Sequence, residues 1–526
     1  MGKSSDLYQR SRFEKYRKFF MQSSEIVQSY ATYSIKEKTC EASPAAKPWE
    51  NGRGGVPVFW DPDTKLVYCD AADNHTLVIG PTGSKKSRLV AMPQVRILGA
   101  EKENIIITDP KAEIYCRTAS YLKSQGYDIR VLNLRSPSEG DSWNPLLVPF
   151  HYYCVGDIDR AYEFANDVAQ NLMHDIVNKN VDPFWENSAA SFFFGLTILL
   201  FKYCQDMNLG SSYVTISNII ALSQELLSKK MPPVLWDYAK KDPFIYANLV
   251  GTIEAPSDTR ASIVSVFSEK IRLFSIQPNL MDMLSSNSFE LDNLDNIPTA
   301  IFLILPDEKT SYHGIGSLFV KQSYEYLIYM AQKKSRNVKD AAALGRRMNY
   351  IIDEFASMPT IHDFPALITA ARSRNIRFTL ITQSKHQLMQ RYSDETDTIM
   401  SNCANWIILT CREHSFLEEV SSLCGRTYGN MSEPIVHPDS IQRLNKDTGE
   451  ALLLAGRNRP FVTHLPDIEV YDNNEFCHIP IEKKKRTKGK SIEKLLQKDR
   501  EKHFSDHKRI IEEIRKSSRL FSEEEL

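Results

Sequence analysis

Thr76-Leu77-Val78-Ile79-Gly80-Pro81-Thr82-Gly83-Ser84-Lys85-Lys86-Ser87-Arg88 reads as a buried strand, a phosphate loop and the first turn of a helix. Against the pattern G-x-x-x-x-G-K-[ST], Gly80, Gly83, Lys86 and Ser87 fall on register, and Lys85 takes the place of the pattern's second glycine. In such a loop the backbone N–H groups at a helix N-terminus wrap phosphates, and the lysine, here Lys86, reaches the terminal ones. Ser87 is the candidate ligand of Mg²⁺, and Pro81, Thr82, Ser84, Lys85 and Arg88 complete the candidate loop. Glycine is usual before that lysine because the backbone approaches phosphate closely. Two readings of Lys85 stay open: it is tolerated if its φ is helical, its charge even helping to hold phosphate, or it marks a slow or degenerate ATPase.

A second segment completes the first. Met348-Asn349-Tyr350-Ile351-Ile352-Asp353-Glu354-Phe355 is an apolar strand ending in two adjacent carboxylates. A core strand followed by an acidic turn would look the same in isolation. Beside a phosphate loop the pair reads as Walker B, with Asp353 in the Mg²⁺ shell and Glu354 orienting or deprotonating the attacking water.

The 526 residues are too many for one core, so two or more domains are expected. With a net charge of −1, any nucleic-acid contact must come from local patches. Nine cysteines without CxxC pairs argue against a zinc site and a disulfide framework, and so for a reducing compartment. The most apolar run, 189–201, falls short of the roughly 20 residues that a membrane span requires and reads as a buried helix. Basic and aromatic residues mix over 8–20, which fits a solvated N-terminal helix or an interfacial one.

From Val56 strands and helices alternate. Strands are expected at 104–109, 128–133, 299–305, 349–353, 377–382, 405–409 and 450–455, with helices at 112–125, 362–373 and 385–392. Such βαβ order implies a mostly parallel sheet with both faces covered and ligands at the carboxyl ends of its strands. Between 155 and 290 helical periodicity dominates, at 160–178, 183–205, 216–228, 243–251 and 259–274. The expected domains are a helical N-terminal extension (1–55), a nucleotide-binding domain in two parts (56–154 and 291–475), an all-α insertion (155–290) and a charged tail (476–526). That tail contains the basic run 482–490 and an acidic end, Glu523-Glu524-Glu525.

These segments together resemble the type IV secretion coupling proteins, the TraG/TraD-type conjugative DNA-transfer ATPases, from about Thr76 to Asp467. Besides the loop, Asp109-Pro110-Lys111-Ala112-Glu113 resembles that family's DPKGE, Trp143-Asn144-Pro145-Leu146 its (Y/F)NPL, and Asp182-Pro183-Phe184-Trp185 its DPFW. Asp353-Glu354-Phe355-Ala356 resembles its DEFA, Arg372-Ser373-Arg374-Asn375-Ile376 its RSRGI, and Ile381-Thr382-Gln383-Ser384 its I-x-Q-S. The resemblance implies a RecA-like P-loop NTPase core with a mostly parallel central sheet and an all-helical insertion, assembled as a homo-hexamer with ATP and Mg²⁺ between subunits. It gives Gln383 the role of sensing the γ-phosphate or placing water. Arg372 and Arg374 become candidates for an arginine supplied to the neighbouring site. It also implies sequence-independent single-stranded DNA as substrate, with a relaxase and secretion-channel proteins as partners. Arg260 and the arginines of 372–377 are the candidate DNA contacts.

Most members of that family carry N-terminal transmembrane helices, and none is visible here. The expectation is a soluble, cytoplasmic variant that either docks on a separate membrane subunit, peripheral at the inner face of the bacterial membrane, or works away from the envelope. Two alternatives keep the same core. One is a coupling ATPase for protein effectors, or a soluble DNA motor of a mobile element or defence system. The other is a docking platform that binds nucleotide without hydrolysing it.

Overall fold

The computed structural model describes residues 21–42, 54–174, 182–228, 234–308, 310–334, 343–427, 432–471, 478–499 and 501–502. The segment 8–20 and the acidic chain end lie outside these residues. Two compact units emerge, Met1–Gly140 with Glu290–Glu482, and Asp141–Phe289 with Lys483–Leu526.

The first unit is built on two sheets. The strands are β1 (Ala31–Ser34), β2 (Thr39–Glu41), β3 (Val56–Asp61), β4 (Leu66–Asp70), β5 (Thr76–Ile79), β6 (Asn104–Thr108), β7 (Asp128–Asn133), β8 (Thr299–Ile304), β9 (Met348–Ile352), β10 (Ile376–Thr382), β11 (Asn405–Ile408), β12 (Glu450–Ala455) and β13 (Phe461–His464). The first four form an antiparallel sheet in the order β2-β1-β4-β3. The other nine form one sheet in the order β13-β12-β11-β5-β10-β9-β6-β8-β7. From β11 to β7 every pair is parallel, and only the β11–β12 and β12–β13 pairs are antiparallel. Every residue of β5, β6, β8, β9 and β10 is buried. That is the signature of a sheet covered on both faces, and it explains the largely apolar runs of its strands.

The described part of the N-terminal region is not the helical extension that the sequence predicts. A short helix, Ser23–Ser29, leads into β1 and β2. Tyr33 and Cys40 point into the core while their neighbours face outward, and β1 pairs with β4 some way along the chain. Pairing with a distant strand, rather than local propensity, makes these short segments strands.

The second unit is helical. Its centre is the helix Pro183–Asp206, capped by Asp182, whose side chain accepts the Phe184 N–H at 3.0 Å. Phe192 and Phe193 are fully buried against Phe267 of the helix Ser257–Ile276. Gly195 lets the helix Pro243–Ile253 pass close, since a Cβ there would lie 2.8 Å from Leu249 Cδ2. Pro183–Asp206 is longer than the apolar run seen in the sequence, and by length and composition it is able to cross a membrane. In this fold 61% of its apolar window is buried.

The tail segment that follows Glu482 belongs with this helical unit, so it does not stand apart as a separate charged tail. Lys484 Nζ lies 2.8 Å from Oδ1 of the buried Asp141. Lys490 N–H donates to Ser212 O, and Asn218 Nδ2–H donates to Lys490 O, both at 2.8 Å. Ile492 and Leu496 are buried. The basic run reads as solvated in sequence because its anchors, Asp141 and Asn218, lie hundreds of positions away.

Candidate nucleotide site

The parallel register brings the ends of β5, β10, β9 and β6 side by side: Ile79 pairs with Thr382, Leu380 with Ile352, and Ile352 with Thr108. At the end of β5 the Gly80 N–H donates to Thr382 O at 3.2 Å, and the chain then turns through the loop into a π-helical turn, Ser87–Ala91, and the helix Met92–Ala100. Gly80 has no room for a side chain, because a Cβ would sit 2.5 Å from Ser84 Oγ and 3.3 Å from Leu409 Cβ. Gly83 has φ +80°, the left-handed region that glycine enters freely.

Lys85 also has a positive φ, +65°, so the helical φ anticipated for it is not what the loop adopts. A left-handed residue at this point suits glycine, so Lys85 holds a conformation that costs a non-glycine residue energy. Two other family glycines are replaced in the same way: Ala112, in the DPKGE-like segment, has φ +59°, and Asn375, in the RSRGI-like one, has φ +61°.

Lys86 is buried, and its Nζ donates to Gly80 O at 2.8 Å and to Pro81 O at 3.4 Å, with Glu354 Oε1 at 3.9 Å. Burial lowers its pKa, while Glu354 and Asp353 act the other way. Ser87 Oγ donates to Asp353 Oδ2 at 2.7 Å. Asp353 Oδ1 accepts the Glu354 N–H at 3.0 Å, and the Asp353 carbonyl accepts Thr108 Oγ1–H at 2.9 Å. Burial pushes the Asp353 carboxyl up to about 6, against the hydrogen bond from Ser87. Glu354 has φ +55°, a conformation that costs a non-glycine residue energy and recurs at functional turns. Its Oε2 accepts Gln383 Nε2–H at 3.0 Å.

Lys86, Ser87, Asp353, Glu354 and Gln383 therefore meet at one place. Asp109, at the end of β6, joins them. Its Oδ2 accepts the Tyr115 N–H at 2.7 Å, and burial raises its pKa to about 7. The residues present fit a nucleotide with a divalent cation. Ser84 Oγ is buried with no hydrogen-bond partner among the described residues, at a point where only glycine fits opposite it. A hydroxyl and one carboxylate, Ser87 and Asp353, suit Mg²⁺, which is usually held by one or two carboxylates plus phosphates and water.

Three predicted residues fall elsewhere. The Arg88 side chain turns away to Asp467, at 2.6 Å from Nη2, and to Glu469, also at 2.6 Å. Arg372 and Arg374 form a turn just before β10, at the amino edge of the sheet, whereas the loop lies at its carboxyl edge. Seven strand residues separate the two edges, about 20 Å. Arg372 pairs with Asp73 at 3.0 Å, and Arg374 Nη1 donates to Ser373 Oγ at 3.1 Å. Of the candidate DNA contacts, Arg377 is buried and bound to Glu103 at 2.8 Å, which makes it a core ion pair. Arg260 Nη1 donates to Ile253 O at 3.0 Å, at the end of the preceding helix.

The sequence reading missed Thr108 and the acidic residues that hold the two basic neighbours of Lys86 and Ser87. Asp447 lies 3.4 Å from Lys85 Nζ, and Asp467 and Glu469 hold Arg88. No local motif marks these carboxylates, which come from the β12–β13 region.

Comparison with known proteins identifies the family and the fold. The family described as "Type IV secretory system Conjugative DNA transfer" matches residues 20–432. No curated protein matches the chain. Among solved structures, the unbound bacterial conjugative coupling protein TrwBdeltaN70 is similar with a TM-score of 0.56 at 14% identity, covering 84% of this chain and 95% of that one. The plasmid coupling protein TrwB in complex with a non-hydrolysable ATP analogue gives 0.55 at 15% identity, over 83% and 98%. TrwB with ADP and Mg²⁺ gives 0.54 at 15%, over 78% and 87%. At such identities the likeness shows a shared fold, a RecA-like α/β core with a helical insertion. The family match spans well over half of the sequence, and the chain belongs to the type IV secretory system conjugative DNA-transfer family.

Proposed function

We propose that this protein is an ATP-driven coupling ATPase that takes a relaxase-bound DNA strand to a type IV secretion channel. The observation that carries the reading is the convergence of Lys86, the Ser87–Asp353 pair and the Glu354–Gln383 pair at the carboxyl ends of neighbouring parallel strands. Solved TrwB complexes contain an ATP analogue, and ADP with Mg²⁺. The metal, when bound, neutralises phosphate charge. Lys86 would exchange its loop carbonyls for phosphate oxygens, and Ser87 and Asp353 would hold the metal and its water. Glu354, aligned by Gln383, would orient the attacking water and take its proton. Arg372 and Arg374 lie too far from their own loop to serve it. Their place at the opposite edge fits service to a neighbouring subunit, as in a homo-hexameric ring. Gripping single-stranded DNA by its phosphates would make binding salt-dependent and blind to sequence.

Steady-state ATP hydrolysis with and without single-stranded DNA tests the reading, with Glu354→Gln as control. Turnover that rises with DNA and vanishes in the variant is expected. Turnover indifferent to DNA would point to protein effectors as the cargo. The strained Lys85 favours one other reading, a platform that binds nucleotide and assembles without turnover, and a nucleotide-stabilised oligomer with no phosphate release would establish it.

A further inference from the structure

Both basic residues that flank Lys86-Ser87 are held by carboxylates from one stretch of chain. Arg88 is gripped by Asp467 and Glu469 through three hydrogen bonds to Asp467, at 2.6–3.2 Å, and one to Glu469 at 2.6 Å. Lys85 is held differently. Its sole ion-pair partner among the described residues, Asp447, lies 3.4 Å away, and the Asp447 side chain is 73% exposed. An exposed single contact of this kind is weak and readily exchanged. Asp447 itself sits on a fixed turn. Its N–H donates to Asn445 Oδ1 at 2.9 Å, and the Asn445 N–H donates to Glu450 Oε2 at 2.9 Å. Gly449 closes the turn at φ +72°, against Leu465 O. The carboxylate is thus placed rigidly, whereas the lysine is a long and flexible cation rooted in the phosphate loop.

We propose that Lys85 is a second phosphate-binding ammonium of the loop and that Asp447 is its parking site, a carboxylate the polyphosphate must displace. The inference rests on the nucleotide reading of the loop given above. A cation at the lip of such a loop gains most from a ligand carrying several negative charges, and charge-assisted contacts to phosphate exceed an exposed carboxylate pair in strength. The exchange would leave Asp447 free when nucleotide is bound, so the 445–449 turn would report occupancy of the loop.

Binding of fluorescent ATP and ADP analogues to the full-length chain, with Mg²⁺, tests this in four forms: wild type, Lys85→Asn, Lys85→Arg and Asp447→Asn. Asparagine removes the charge yet tolerates a left-handed backbone. Lys85→Asn should weaken binding about tenfold, Lys85→Arg should restore most of it, and Asp447→Asn should tighten it about threefold by removing the competitor. Unfolding midpoints within a degree or two of wild type would exclude loss of fold. If wild type binds and Asp447→Asn binds no better, the parking site is wrong. Unchanged binding by Lys85→Asn would overturn the role of Lys85. If wild type binds neither analogue, the nucleotide reading itself fails and this inference falls with it.

Discussion

Three positions where the resembled motifs carry glycine hold other residues here in the left-handed region, Lys85, Ala112 and Asn375, and placing glycine there should affect them in different directions. An L-residue in the left-handed region costs about 1–2 kcal/mol, and glycine gives back about 0.4–1 kcal/mol through the greater freedom of the unfolded chain. The backbone alone therefore predicts a modest gain for all three, and the side chains decide the sign. Lys85→Gly loses only the exposed contact with Asp447, worth a few tenths of a kcal/mol, and should stabilise by about 0.5 kcal/mol. Ala112→Gly also removes a methyl group packed against the core, worth up to about 0.8 kcal/mol, and should come out near neutral. Asn375→Gly removes an amide that donates to Leu344 O at 3.0 Å and an oxygen that accepts from Arg347 Nε at 3.1 Å. Both partners are partly buried, so it should destabilise by roughly 1–3 kcal/mol. Denaturant unfolding of the full chain, compared at constant m-value, gives the order, and Lys85→Ala, which keeps the strain, isolates the backbone contribution. If Lys85→Gly and Lys85→Ala unfold at the same midpoint, or Asn375→Gly proves the most stable of the set, the strain assignment is refuted.

Other expectations are more direct. Glu103 is buried between Arg377 at 2.8 Å and Arg347 at 3.8 Å, and Glu103→Gln, which leaves two uncompensated buried cations, should cost about 3–5 kcal/mol in an unfolding titration. His75 is fully buried, its Nε2 facing Ile368 O and its Nδ1 accepting the Phe378 N–H, and burial lowers its pKa from 6.5 to about 4. The folded state thus favours the neutral ring: its contribution is complete above pH 6.5 and shrinks as the pH falls towards 4. By pH 5 about 2 kcal/mol should be lost, and stability that is flat between pH 7 and 5 would contradict this. Gln383→Leu should leave nucleotide affinity intact and lower turnover about 10²-fold, since Glu354 loses the donor that aligns it; an equal loss of affinity would show that Gln383 serves binding instead.

Much of the sheet unit was legible because its parallel strands are buried on both faces and so read as short apolar runs between turn residues. The ends of β7 and β12 and of the helix Lys385–Tyr392 match the sequence reading. The residues of the candidate site were legible for a related reason, since Lys86, Asp353, Glu354 and Gln383 each follow such a run at a strand's carboxyl end. What stayed hidden depends on distant partners or on loop geometry. β2 is only three residues long and owes its existence to β1. The helix His313–Lys334 mixes polar and apolar positions with little periodicity and passed unnoticed. The positive φ of Lys85 and the carboxylate at Asp447 have no local signature, because the loop's shape is imposed by the strands around it.

Those strands also set a timetable. β5 enters the sheet between β10 and β11, which are made about 300 residues later. Until they emerge, the strand that carries the phosphate loop has no neighbour on either side. At a synthesis rate of about 5–20 residues per second, the interval is on the order of half a minute. A nascent chain of this protein thus spends most of its synthesis with the loop sequence complete and the nucleotide pocket absent, and a ligand can stabilise the fold only after β11 has left the ribosome.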